Sequence, residues 1–299
     1  MRKVLLTVIT ILMSLMFHID AFSEPIPNEV RKCVAFIVKP GAERNKPIAT
    51  GFFIGYKYDD NPNKIYIFLV TARHVLIDDK GMPHTDLLLR MNDKKTGGAK
   101  DFNLINPKAW FFHEKIEKSV DIAVQPLFPK EADFLVIPPK YFVTEELLKN
   151  NNIGIGDDVF FTGLLSYHSG STKISPIVRF GKLALLTNEK TVDDKYYHFL
   201  DSGNIPGHSG SPVFLWTTPT RRQGKLIIGS RIFGLYGVVS GMLEYKKTLE
   251  VTVPKQTRKQ IVPVDARSSG ITAIVPIKYL FEILEGYRLK KVLGILDSK

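Results

Sequence analysis

Gly207-His208-Ser209-Gly210-Ser211-Pro212-Val213 holds a serine in a glycine-rich turn and runs at once into an apolar stretch that continues to Trp216. Two more segments place a reactive side chain at the edge of a strand. Leu69-Val70-Thr71-Ala72-Arg73-His74-Val75 delivers a histidine at the end of an apolar run, and Val120-Asp121-Ile122-Ala123-Val124 opens one with an aspartate. Singly, each is an ordinary structural feature. Together they follow the order His, Asp, Ser, separated by 47 and 88 residues, and three ordered motifs weigh far more than one.

The chain around them reads as strands. Runs rich in valine, isoleucine and phenylalanine recur between Gly, Pro, Asn and Asp clusters. They cover Val34 to Val38, Thr50 to Tyr56, Ile65 to Thr71, Asp86 to Met91, Val120 to Gln125, Asp158 to Gly163, Ile177 to Leu186, Tyr196 to Leu200, Pro212 to Trp216, Leu226 to Ser240 and Ile271 to Val275. Many short strands at such spacing predict an all-β barrel or sandwich. Two helices stand out. Thr144 caps one from Glu145 to Lys149, and Pro276 sits in the first turn of another through Ile283, with Gly286 as its stop. Pro126 to Pro139, with four prolines, reads as a linker between two halves.

Length and composition bound the function. With 299 residues and 44% apolar side chains, the chain can fill one large or two modest cores, which argues against disorder, a collagen-like repeat or a multi-span membrane protein. A formal net charge of +11 favours anionic partners without defining a fold. The single cysteine, Cys33, excludes an intramolecular disulfide and a cysteine zinc cluster; its strand-like surroundings predict a buried, inert thiol. Arg2 and Lys3, the apolar run from Val4 to Phe17 and the small residues at Ala21 and Ser23 predict a secretory signal over residues 1–23. The apolar run is shorter than the roughly 20 residues a spanning helix needs. The expected mature protein is therefore exported, periplasmic or secreted, with no membrane span after signal cleavage.

The three motifs resemble the chymotrypsin-like serine peptidases, whose triads keep this order and similar separations. Ala49-Thr50-Gly51-Phe52-Phe53-Ile54 resembles the strand that precedes the family's histidine. Ile155 to Phe160 with Gly163 resembles the opening of the second barrel in bacterial members, and Gly270 to Pro276 the final strand and helix entry. The serine motif is similar to that of the glutamyl endopeptidase branch, while Asp201 to Gly207 is similar to the HtrA-like branch, though the full HtrA architecture with a PDZ-like tail is not expected. The resemblance implies two antiparallel six-stranded barrels. Residues 24–140 would form the N-terminal barrel with His74 and Asp121, and 141–299 the C-terminal barrel with Ser209 and a short C-terminal helix.

A serine hydroxyl is a poor nucleophile at neutral pH and needs a neighbouring base as it attacks a carbonyl. His74 is the expected base, Asp121 fixes its tautomer and stabilises its charged form, and the N–H groups of Gly207 and Ser209 are expected to bind the oxyanion. His208 is expected to pack in the loop, and its identity argues against activation through an aspartate paired with a freed N-terminus. His84, His113, His168 and His198 show no metal spacing and read as surface or packing residues, so neither a metal nor a cofactor is implied.

Gly203, six before Ser209, stands where trypsin-like members carry an acid, so cleavage after basic residues is disfavoured. The resemblance puts Asn204 and Tyr236 where glutamyl endopeptidases carry their threonine and histidine, and Val239 or Met242 at the pocket mouth. Together these predict a pocket for small or medium uncharged side chains; an acidic one would need a basic residue from elsewhere. Leu243 to Gly270 reads as an inserted surface loop carrying Lys246, Lys247, Lys255, Arg258 and Lys259, which with Arg221, Arg222 and Lys225 gives a candidate basic rim for acidic substrates or an anionic envelope polymer. No nucleic-acid motif accompanies the charge. The expected activity is that of a serine endopeptidase acting on peptide or protein through an acyl-enzyme. The alternative is a non-catalytic module of the same fold that binds peptide or anionic polymer, and the intact triad argues for the enzyme.

Overall fold

The computed structural model describes residues 26–59, 62–78, 80–170, 172–203, 206–217, 232–245, 248–251, 260–263 and 267–295. The expected signal segment, Asn204 and the basic residues Arg221, Arg222, Lys225, Lys246, Lys247, Lys255, Arg258 and Lys259 lie outside the described residues.

Six antiparallel strands build the N-terminal half: β1 (Val34–Lys39), β2 (Lys46–Tyr56), β3 (Tyr66–Thr71), β4 (Leu88–Asn92), β5 (Ala99–Phe102) and β6 (Ala123–Pro126). Their order across the sheet is β5-β4-β1-β2-β3-β6. β1 is buried along all but its last residue, which explains why Val34 to Val38 is apolar on both faces instead of alternating. β2 pairs with β3 in a register that sets Gly51 against Thr71. That register brings the strand before His74 alongside Thr50.

The C-terminal half is a closed antiparallel barrel of β7 (Asp158–Gly163), β8 (Ile177–Leu185), β9 (His198–Asp201), β10 (Pro212–Trp216), β11 (Phe233–Tyr245) and β14 (Arg267–Pro276). Pairing of β7 with β10, Phe161 opposite Val213, closes the ring. Phe160, Phe214 and Phe233 pack as a cluster of near-parallel rings, with centroids 5.1, 5.3 and 6.3 Å apart.

One apolar cluster runs through both halves, taking Phe52, Val70 and Ile122 from the first and Phe161, Val213 and Leu280 from the second. Among the described residues, four α-helices flank the sheets: α1 (Asn28–Lys32), α2 (Glu145–Asn150), α3 (Ile277–Leu284) and α4 (Tyr287–Val292). α3 buries Ile277, Tyr279, Leu280, Ile283 and Leu284 and binds the N-terminal half at its far end. There Tyr58 donates to the Leu284 carbonyl at 2.8 Å, and Tyr56 to a Glu285 oxygen at 2.7 Å. The side chain of Thr144 accepts from the N–H of Leu147, the expected cap of α2.

Several boundaries differ from the sequence reading. The strand expected from Val120 starts at Ala123, because the N–H of Val120 turns back to the Ile116 carbonyl and Asp121 is committed to His74. β5 reads Ala-Lys-Asp-Phe, with too little apolar pattern for the sequence to reveal it. Pro276 occupies the N-cap position of α3 instead of its first turn, and Gly286 ends one helix only to lead into another. α1 and α4, of five and six residues, were not expected. The linker after Pro126 is pinned: the N–H of Ile137 donates to the Phe53 carbonyl at 2.9 Å. Leu243 to Gly270 is not a plain loop. β11 and β14 stay paired out to Tyr245 and Arg267, and β12 (Thr248–Val251) pairs with β13 (Gln260–Pro263) as a two-stranded ribbon.

Candidate active site

His74, Asp121 and Ser209, far apart in sequence, meet where the two halves face each other. His74 sits in a 3-10 turn (Arg73–Leu76) directly after β3, Asp121 lies ahead of β6, and Ser209 lies in the turn before β10. Nδ1 of His74 is 2.7 Å from Oδ2 of Asp121, and Nε2 is 3.1 Å from Oγ of Ser209. The backbone N–H of His74 donates to Oδ1 of Asp121 at 2.8 Å. A carboxylate only accepts, so Nδ1 carries the proton and Nε2 is left as an acceptor facing the serine. Asp121 is buried, with 7% of its side chain exposed, whereas His74 is 52% exposed.

Asp121 has one more donor, Ser240 on β11. Ser240 has a single hydroxyl proton, and with that spent on the carboxylate its oxygen is free to accept from the phenol of Tyr197, 2.9 Å away. Burial, followed by the charge of Asp121, pushes the Tyr197 hydroxyl up to about 12, which keeps it a donor. Ser209 Oγ also lies 3.0 Å from the Ser240 carbonyl, so its proton has two acceptors within reach.

The serine turn is clamped from both halves. Thr50 on β2 donates from Oγ1 to the Gly207 carbonyl at 2.7 Å and accepts there from the N–H of Leu164 at 3.0 Å. The N–H of Thr50 donates to the Ser209 carbonyl at 2.9 Å. Ser166 donates to the Pro206 carbonyl at 2.5 Å, which fixes one face of the Pro206–Gly207 peptide. Since that unit is planar and trans, the Gly207 N–H points away from Ser166. Gly207 adopts φ +108° and Gly210 φ +83°, conformations that side chains resist. A Cβ on Gly210 would also sit 2.1 Å from the Thr50 carbonyl oxygen. The arrangement offers a partly exposed hydroxyl with a base beside it and a rigid turn behind it, which is what acyl transfer requires.

The fold is chymotrypsin-like. Two six-stranded antiparallel sheets with a C-terminal helix carry these side chains at the junction of the halves. No family model matches the chymotrypsin-like chain, and no curated protein matches it. Among solved structures it is similar to the HtrA-type protease AlgW with tripeptide, at 14% identity and a TM-score of 0.47. That similarity covers 86% of this chain, which spans 60% of the other.

The remaining predicted positions fall into place as follows. His208 is fully buried, edge-on to Phe161 at 5.0 Å and 3.2 Å from Oγ of Ser211. Burial, then the charge of Arg179, lowers it to about 4, so it is a neutral packing residue as expected. His198 and His113 are packing residues as well. His198 binds the Tyr236 hydroxyl at 2.7 Å, and His113 reaches Glu282 on α3 at 2.5 Å. Tyr236 is therefore a core residue and not a pocket residue, which corrects that assignment. Val239 is also fully buried, its N–H and carbonyl bonded to Ser211 and Gly210. Met242, two residues past Ser240, is partly exposed. Sequence reasoning missed Ser240, Tyr197, Thr50 and Ser166; each is a common hydroxyl residue whose role appears only when distant strands are brought together.

Proposed function

We propose that this protein is an exported serine endopeptidase that hydrolyses peptide bonds through an acyl-enzyme. The observation that carries this reading is the unbroken line of contacts from Asp121 through His74 to Ser209, with Ser209 partly exposed. Ser209 Oγ attacks the substrate carbonyl while His74 Nε2 takes its proton. Asp121 and its partner Ser240 stabilise the imidazolium that forms. The N–H groups of Gly207 and Ser209 receive the oxyanion, the position held by Thr50 and Ser166. His74 then returns the proton to the leaving amine, and water repeats the sequence to free the enzyme. Each step moves one proton to or from Nε2 of His74, and nothing in it calls for a metal or cofactor. Export follows from the basic and apolar opening of the chain, and a protein segment is the natural substrate in that setting. Incubating the purified protein with a mixed peptide library and mapping the cut sites by mass spectrometry tests the reading. New termini should appear, and they should be absent with Ser209→Ala and with His74→Ala.

A further inference from the structure

Arg179 lies on β8, opposite Phe161 of β7, and its side chain extends toward the segment that leads into the serine turn. Nη2 is 3.1 Å from where a Cβ on Gly203 would stand. Its positive charge is felt at His208, next to Ser209. Gly203 is the position six before Ser209, where the resemblance places the floor of the pocket for the residue whose carbonyl is attacked. Glycine leaves that floor empty of side chain, and the guanidinium fills the vacated space.

Arg179 is partly exposed, but part of its guanidinium is shut away from water. Nε is closed off from solvent without a hydrogen bond, and among the described residues no carboxylate forms an ion pair with it. An arginine cannot shed its proton, and a buried donor left without an acceptor is destabilising. His208 cannot share the charge or balance it, since it is neutral and its Nε2 is likewise without a partner. A half-buried arginine whose Nε lacks an acceptor, beside a histidine nitrogen that also lacks a partner, is open to an anionic group. A carboxylate fits it best, because the planar fork of donors matches two oxygens at once.

We infer that Arg179 is a specificity-determining residue that receives an acidic side chain of the substrate, so that cleavage follows glutamate or aspartate. This rests on the peptidase reading and names its substrate class. It replaces the uncharged pocket expected from Gly203 and Asn204 and supplies the basic group that those positions lack. Arg179 sits outside the serine motif and outside Leu243 to Gly270, so neither segment announces it. A lysine or arginine side chain entering the same pocket would meet a like charge.

The test compares two peptides that differ only by Glu or Gln before the cut bond. The kcat/KM ratio within one preparation is independent of how much of it is folded. The protein should favour Glu by about 10- to 100-fold, the usual worth of a hydrogen bond to a charged group. Arg179→Gln should bring the ratio close to one, while Arg179→Lys should keep part of it. A second arm needs no catalysis: calorimetric titration of the Ser209→Ala protein with acetyl-Ala-Ala-Glu and acetyl-Ala-Ala-Gln should show tighter binding of the acid, lost when Arg179→Gln is added. Equal ratios and equal binding, or a preference that survives Arg179→Gln, would overturn the inference. Absence of any cleavage alongside acid-selective binding would instead strike the peptidase reading and leave the role of Arg179 standing.

Discussion

Thr50 and Gly207 stand 157 positions apart in sequence, yet the hydroxyl of one donates to the carbonyl of the other at 2.7 Å inside the protein. Through this contact β2 of the N-terminal half holds the turn that carries Ser209. Thr50→Val keeps the shape but leaves the Gly207 carbonyl and the Leu164 N–H unpaired. The expected cost is about 1–3 kcal/mol of stability, read by denaturant unfolding, with a fall in kcat at little changed KM. Thr50→Ser should restore both.

Gly210→Ala should be far more harmful than an ordinary glycine substitution. Its φ of +83° is strained for alanine, at about 1–3 kcal/mol, and the new Cβ would meet the Thr50 oxygen at 2.1 Å and Thr71 Oγ1 at 2.4 Å. Thermal melting should show a drop of several degrees or failure to fold, whereas Gly97→Ala, with open space around it despite its own positive φ, should cost only the strain.

Removing the groups behind His74 should grade the loss of activity. Asp121→Asn presents a donor where Nδ1–H needs an acceptor, and turnover should fall by about 10⁴. Ser240→Ala keeps the carboxylate and removes one of its donors, so a fall of about 10- to 100-fold is expected. Steady-state kinetics on one peptide substrate would reveal whether this order holds.

The pH profile follows from the sign of the shift at His74. Burial acts to lower its pKa, but the hydrogen bond and charge of Asp121 outweigh burial and the opposing charge of Lys195, leaving the value above the ordinary 6.5. The base works only when neutral, so activity should be full above that raised value and fall as pH drops through it. The same shift stabilises the fold at low pH, and that contribution disappears as pH rises through the raised value. A kcat/KM profile that stays flat from about pH 5 to 8 would contradict the role of His74.

The spacing of His74, Asp121 and Ser209 was legible because each is bound to a local signature: an apolar run ending in histidine, one beginning with aspartate, and a serine between glycines. Asp158 to Gly163 and Pro212 to Trp216 were readable to the residue for a similar reason, being continuous apolar runs bounded by turn formers. What escaped was what depends on contacts across the fold. Ser240 lies on β11 and Tyr197 just ahead of β9, and they acquire a role only when β9 and β11 flank β14. β5 pairs through its backbone with hardly any apolar pattern to reveal it. Tyr236 was misplaced because a strand's register cannot be read from a run such as Phe233 to Tyr245, apolar or small at nearly every position. Arg179 was invisible as a recognition group because it looks like any polar residue on a barrel strand until its reach toward Gly203 is seen.

The most direct test of the account is covalent labelling. A fluorophosphonate reacts with a serine only where a base activates it and an oxyanion site receives the charge. Incubation at pH 8 followed by peptide mapping should place a single adduct on Ser209, with labelling lost in Ser209→Ala and in His74→Ala and weakened at low pH. An unlabelled protein, or one labelled equally after Ser209→Ala, would contradict the assignment of Ser209 as an activated nucleophile.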